Sequence, residues 1–391
     1  MCRVGLLFVL AAIAVLGQEI PSSTRDEYPF DEWLKGKDNG HIHWAMRVLP
    51  PSLSLYQRLD LSIWIDVNAS EFVKRPKPGQ IRFLLEIRDR DRVTYRKHQS
   101  FVLKKQQNPS DLSRLRFREH ACINPGDYEV TGIVYDADSK EHVVKREKLH
   151  VPGIHHDALR AAWDGVPNVE FSSCSPANSS PLSLALKTEK PVRIEVVVNT
   201  AVNRNKIGAS ALPLVSKLIS WLQVISELRV ENGSMNVTVL DLERRKIAFT
   251  QDNVDRLNLR GITASLRENN PYKVDIHALE NYLDDVQFFV AQIQRVLERN
   301  QSSEGERVLI VLSGPRTFPR GEDMRSIEEI PDPDRRVFYI RVHNVSFDTS
   351  NSDSLEHTLR PLHPRLFDVM TAEEFRRALG SIIKEVSQDV Y

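Results

Sequence analysis

The sequence predicts a doubly wound α/β domain that follows an N-terminal antiparallel β-sandwich, and three observations predict it. Short β-rich runs separated by turn residues recur between about Ile42 and Val151. A connector rich in Pro and Ser, from Pro152 to about Thr188, interrupts that pattern. Beyond it, apolar strands alternate with segments of helical periodicity as far as Tyr391, the order expected of a sheet covered by helices.

The first residues read as a secretory signal peptide over 1–17: Arg3, an apolar run from Val4 to Leu16, then Gly17 before a cleavage point at Gln18. The run falls short of the roughly 20 residues that span a bilayer. No later segment is apolar enough, so no integral membrane segment is expected after cleavage, whereas an uncleaved leader would anchor the chain. The expected location is secreted or periplasmic. Residues 18–40 are polar and rich in Asp, Glu and Ser, which predicts a flexible N-terminal segment.

At roughly 150 residues per domain, 391 residues allow two or three domains. Lys and Arg number 53 and Asp and Glu 53, so no overall attraction to nucleic acid is implied. Cys2 leaves with the signal peptide, so only Cys122 and Cys174 remain, either as a disulfide or as two thiols. Asn68, Asn178, Asn232, Asn236, Asn300 and Asn344 each open an Asn-x-Ser/Thr acceptor pattern.

The β-sandwich domain is placed at 41–152. Its strands are expected at Trp44 to Val48, Leu59 to Val67, Gln80 to Arg88, Arg92 to Leu103, Leu115 to Arg118, Asp127 to Tyr135 and His142 to Val151. Tyr128, Val130 and Val134 alternate with polar or small residues, so one face can be buried and the other wet. Tyr128 following Gly126 is similar to the tyrosine corner of immunoglobulin-like domains, although their inter-sheet cysteine pair is absent.

A linker is expected over 153–187, in which Trp163, Val169 and Phe171 are suited to pack on a neighbour. The α/β domain is placed at 188–391. After a strand ending at Val198, Ser210 and Pro213 open a helix with Leu214, Leu218, Leu222 and Ile225 on one face. Strands follow at Val237 to Leu240 and Lys246 to Thr250. Asp275 can cap a helix carrying Val286, Val290, Ile293 and Leu297 at helical spacing. Val308 to Leu312, Val337 to Val342 and Leu366 to Val369 read as strands. Thr371 and Glu374 form a capping box for a terminal helix with Phe375, Leu379, Ile382 and Val386 inward.

The order of elements over about Thr188 to Tyr391 resembles a von Willebrand factor A domain, a Rossmann-like fold. The chain as a whole resembles bacterial secreted proteins labelled VWFA-related. The matching stretches include Arg47-Val48-Leu49-Pro50, Pro125-Gly126-Asp127-Tyr128, Ala162-Trp163 and Pro191-Val192-Arg193-Ile194-Glu195-Val196. In that family an Asp-x-Ser-x-Ser motif, a Thr from a second loop and a later Asp hold Mg²⁺ through oxygen ligands. Here Asn199 stands at the Asp position, Ala201 and Asn203 at the Ser positions and Ser313 at the late Asp position. Thr263 is the residue available for the second loop. Both carboxylates are missing, so the resemblance implies a degenerate, metal-free site and no cofactor.

Other constellations are weaker. His41, His43, His155, His156 and Asp157 match no established zinc spacing. Ser313 with His343, His357 or His363 would make a hydrolase, but no Gly-x-Ser-x-Gly elbow is present. Gly314-Pro315-Arg316 lacks phosphate-loop spacing and reads as a turn. The expected function is therefore a non-enzymatic protein-binding or scaffolding protein with an unidentified protein partner. Its expected binding face comprises Asn199, Thr200, Asn203 and Arg316, beyond the carboxyl ends of the strands. The alternatives are an extracytoplasmic hydrolase using Ser313 and a structural envelope component.

Overall fold

The computed structural model describes residues 29–35, 38–68, 80–102, 114–175, 178–201, 211–268, 282–299, 305–316, 327–328, 332–343 and 353–387. The expected signal peptide lies outside them.

The first half opens with a short helix α1 (Phe30–Lys35), followed by β1 (Trp44–Val48), β2 (Ser52–Leu53), β3 (Leu59–Asn68), β4 (Gln80–Asp89), β5 (Thr94–Val102), β6 (Arg114–Ile123), β7 (Gly126–Asp136), β8 (Glu141–Val151) and β9 (Val169–Glu170). These make two antiparallel sheets, one ordered β1-β3-β6-β9 with β2 paired to β3, the other β5-β4-β7-β8. Alternation drives the packing. Leu61, Ile63, Ile65 and Val67 on β3 and Ile81, Phe83, Leu85 and Ile87 on β4 all point into one shared apolar core. The Tyr128 hydroxyl donates to the Asn124 carbonyl at 2.9 Å, pinning the start of β7.

Part of the segment expected to be flexible is placed. Phe30 and Trp33, three residues apart, share one side of α1 with ring centres 5.2 Å apart. Trp33 stacks on Tyr135 at 4.6 Å and on His142 at 5.0 Å. Asp31 pairs with Arg96 at 2.6 Å. Apolar ring area, invisible in the polar composition of 18–40, holds this piece on the sheet.

The second half contains β10 (Leu184–Leu186), β11 (Val192–Asn199), α2 (Ala211–Ile225), β12 (Leu228–Val230), β13 (Gly233–Asp241), β14 (Lys246–Gln251), α3 (Leu259–Glu268), α4 (Tyr282–Arg299), β15 (Glu306–Ser313), β16 (Arg335–Val342), α5 (Ser354–Leu359), β17 (Arg365–Val369) and α6 (Ala372–Val386). A six-stranded sheet runs β14-β13-β11-β15-β16-β17, and β10 pairs with β12 separately. One side packs against α2 and α6, where Trp221 stacks on Phe375 at 4.6 Å. The other packs against α4 and α5. The capping box of Thr371 and Glu374 is formed at the start of α6.

The expected fold class is corrected. The described residues are 43% strand and 25% helix, with several antiparallel sheets, and the fold is not doubly wound and Rossmann-like. The six-stranded sheet is itself mixed, because β14 returns antiparallel along β13. The turn between them runs through Arg245 at φ 51°, so the chain makes a hairpin where a helical crossover would keep the strands parallel. The two sheets of the first half add nine strands in which every pairing is antiparallel.

A buried polar seam joins the halves. Arg376 on α6 donates from Nε to Asp157 Oδ1 at 2.6 Å and from a terminal nitrogen to the Leu159 carbonyl at 3.1 Å. The Trp163 indole donates to Asp157 Oδ2 at 2.8 Å. Gln57, in the turn between β2 and β3, donates to the Ala372 carbonyl at 3.1 Å. Next to it, Arg58 binds Glu170 at 2.9 Å and the Ser180 carbonyl at 3.1 Å. Helix α6 comes so near the connector that a Cβ on Gly380 would lie 2.4 Å from the Ala158 Cβ. Cys122 on β6 and Cys174 in the connector form a disulfide, with Cα atoms 5.3 Å apart.

Among the described residues, two of the acceptor asparagines lie in strands. Asn236 on β13 is buried, donates to Glu195 Oε1 at 2.7 Å and accepts from the Asn253 amide at 2.9 Å. Asn68 ends β3 and is only partly covered.

Candidate functional site

Parallel pairing sets Asn199, the last residue of β11, directly opposite Ser313, the last of β15. The Asn199 amide donates to the Ser313 hydroxyl at 2.9 Å. That hydroxyl donates to the Gly314 carbonyl at 2.7 Å, and Asn199 Oδ1 accepts from the Ala201 amide at 3.0 Å. Both side chains are fully buried. Thr200 turns away and donates to the Leu240 carbonyl at 3.0 Å. A Cβ on Gly314 would meet the Leu214 side chain at 2.9 Å, so the turn after β15 lies close on α2. Polar residues at these strand ends therefore spend their hydrogen bonds on each other.

A second polar layer lies beside them. The Arg316 amide donates to Asp353 Oδ1 at 3.0 Å, and its guanidinium reaches Asp285 at 3.6 Å. Asp353 also caps α5 through the Leu355 amide and accepts from the Tyr339 hydroxyl at 2.7 Å. Burial pushes the Asp353 carboxyl up, against the opposing pull of the Arg316 amide, Tyr339 and Arg341. Burial likewise holds the Tyr339 phenol well above its ordinary range, with Asp353 adding to the effect. Arg341 donates to Glu356 at 2.7 Å and to Asp368 at 2.5 Å and 2.9 Å. The Arg341 hydrogen bond, aided by His343, lowers the Asp368 carboxyl in spite of partial burial.

These contacts revise the expected partner-binding face. Asn199, Thr200 and Arg316 are buried and held within the chain, so their side chains do not present a surface. Asn203 lies outside the described residues. Thr263 is an exposed residue inside α3, not a loop residue beside Asn199. Ser313 and the late histidines are engaged separately: His343 faces Asp368 at 2.7 Å, while the Ser313 hydroxyl is taken by Asn199 and Gly314. His155 and His156 lie edge to face at 3.9 Å on the surface, whereas Asp157 belongs to the seam. Among the described residues, no group of three or more His, Cys, Asp or Glu is placed to hold a metal ion. No helix among them is long and apolar enough to cross a membrane.

The opposite end of the sheet carries a cleft of about 740 Å³ whose lining includes Glu227, Arg229, Met235 and Arg256. Partial burial raises the Glu227 carboxyl against the pull of Arg229 and Arg256. Neither this cleft nor the seam is legible in the sequence. Their components lie far apart along the chain, and Arg376 meets Asp157 across 219 residues.

No family model and no curated protein matches this chain. Among solved structures it is similar to Northeast Structural Genomics Consortium target SoR45, at 15% identity and TM-score 0.19, over 31% of this chain and 94% of that one. It is also similar to the ArnB paralog VWA2 from Sulfolobus acidocaldarius, at 11% identity and TM-score 0.27, over 66% of this chain and 52% of that one. A glycosyl hydrolase family 2 member from Bacteroides cellulosilyticus is similar at 12% identity and TM-score 0.22, over 82% of this chain and 38% of that one. The chain thus spans about half the length of VWA2 and less than half of the glycosyl hydrolase. Likenesses of this size establish neither fold nor function.

Proposed function

We propose that this chain is a secreted or periplasmic, non-enzymatic protein-binding or scaffolding protein, related to the VWFA-related proteins its element order resembles. The observation that carries this reading is the buried seam of Arg376, Asp157, Gln57 and Arg58, which joins two cores into one platform. A joined platform keeps its surfaces in fixed relation, which lowers the ordering cost of binding a partner. The Cys122–Cys174 disulfide supports an oxidising compartment, in keeping with the leader read from the sequence.

The test is capture of a saturable, stoichiometric protein partner from envelope extract by the full mature chain, identified by cross-linking. Alongside it, ester and peptide substrates are screened with the intact chain and with Ser313→Ala. A saturable partner and no turnover is the expected result. Turnover that disappears in Ser313→Ala, without a saturable partner, overturns the reading in favour of a hydrolase.

A further inference from the structure

Strand β3 sends Leu61, Ile63, Ile65 and Val67 into the first core, and its alternation sends Ser62, Trp64 and Asp66 to the opposite side of the sheet. Register places Arg47 of β1 and Arg118 of β6 on either side of Trp64, and Arg116 of β6 beside Asp66. The guanidinium carbons of Arg47, Arg116 and Arg118 lie 5.4, 4.9 and 6.0 Å from the Trp64 ring centre. Asp66 accepts from Arg116 Nε and from Arg47, each at 2.6 Å, and Arg118 donates to the Ser62 hydroxyl at 3.2 Å.

Two of the three guanidinium groups therefore share one carboxylate, and the third is held by a neutral hydroxyl. The Arg47 and Arg116 side chains remain 52% and 51% exposed, and Arg118 is exposed as well. The chain has no net charge, so this positive excess is local. Stacking against an indole holds guanidinium planes in place, so less side-chain freedom is lost when they bind an anion.

We propose that this face binds an extended acidic segment of a protein partner, whose carboxylates at alternate residues pair with Arg116, Arg118 and Arg47. Period is the argument for a peptide. Arg116 and Arg118 sit two residues apart on one strand, about 6.8 Å, and an extended peptide with alternating acidic residues repeats its carboxylates at the same distance. Asp66 already shows a carboxylate held jointly by Arg47 and Arg116. The surface is one side of a sheet with Arg47, Arg116 and Arg118 exposed on it, which suits a linear segment. The choice of a protein ligand rests on the protein-binding reading, while the surface stands on its own residues.

The experiment measures fluorescence anisotropy of two labelled peptides of about 12 residues with the full chain. They share one Asp and Ser composition, alternating in one and blocked in the other. The alternating peptide is expected to bind about tenfold tighter than the blocked one, and Arg116→Gln with Arg118→Gln to lose about tenfold in affinity. Asp66→Asn removes the internal competitor and is expected to tighten binding about threefold, a gain that a misfolded variant does not produce. Equal binding of both peptides, or indifference to the arginine changes, overturns the proposal. So does tighter, arginine-dependent binding of a sulfated oligosaccharide. Partner capture that persists at full strength in the double arginine variant overturns this surface and leaves the protein-binding reading standing.

Discussion

Arg376 and Asp157 meet at 2.6 Å with side chains 1% and 9% exposed, one from the last helix and the other from the connector. Their contact is the centre of the seam, because Arg376 also reaches the carbonyls of Gln57 and Leu159. Arg376→Met leaves the Asp157 charge buried beside Trp163 without its cation. Denaturant unfolding is expected to show a loss of about 3–5 kcal/mol. Adding Asp157→Leu should recover much of that, and a double variant as unstable as the single one would count against this account.

Acid acts on the same pair. Burial by itself pushes the Asp157 carboxyl up, but hydrogen bonds from Arg376, Trp163 and the Leu159 amide outweigh it and hold the group below its ordinary 3.8. A depressed carboxylate stabilises the folded chain fully above the unfolded value and loses that contribution as pH falls through the folded one. Unfolding midpoints of the parent should therefore drop more steeply below about pH 4 than those of the Arg376→Met/Asp157→Leu variant.

The disulfide closes a separation of 52 residues. Loop-closure entropy puts its contribution at about 4 kcal/mol. Cys122→Ala with Cys174→Ala should lower the unfolding free energy by about that amount, and reductant should do the same to the parent while leaving the variant unchanged.

Gly380→Ala tests how closely α6 approaches the connector. In an open helix the change would stabilise by roughly 1 kcal/mol. Here the added carbon would sit 2.4 Å from the Ala158 Cβ and 3.1 Å from its carbonyl oxygen, so a net loss of about 1–3 kcal/mol is expected by calorimetric melting. A rise in melting temperature would show that the connector gives way.

Ser313→Ala removes the acceptor of the fully buried Asn199 amide. Leaving that donor unpaired should cost about 1–3 kcal/mol. Magnesium titrated calorimetrically into the parent chain should give no sub-millimolar binding, because Asn199 Oδ1 already serves the Ala201 amide and Ala201 offers no oxygen.

Much of the strand pattern was legible, since β3 buries Leu61, Ile63, Ile65 and Val67 in alternation and β15 carries an unbroken apolar run from Val308 to Leu312. Thr371 and Glu374 announced the start of α6 for a similarly local reason. The fold class was misread at the turn after β13. Glu243, Arg244 and Arg245 carry no Gly or Asn signal, yet Arg245 adopts positive φ and folds β14 back as a hairpin. Helix α3 was hidden because it contains Gly261 and Thr263, residues of modest helix propensity. The burial of Asn199 was not legible for another reason. Whether Asn199 faces solvent is decided by Ser313, which lies 114 residues away and takes its amide.

The buried Asn236 of β13 bears on where this chain can mature. Its strand lies between β11 and β14, and its side-chain amide is committed to Glu195 and Asn253. A secretory route that attaches sugar to Asn-Val-Thr while the polypeptide is still threading through its translocon would fasten a bulky hydrophilic branch to a position that folding has to bury. Such a route would yield misassembled product, and export machinery that leaves the asparagine bare would yield the native form from an identical gene.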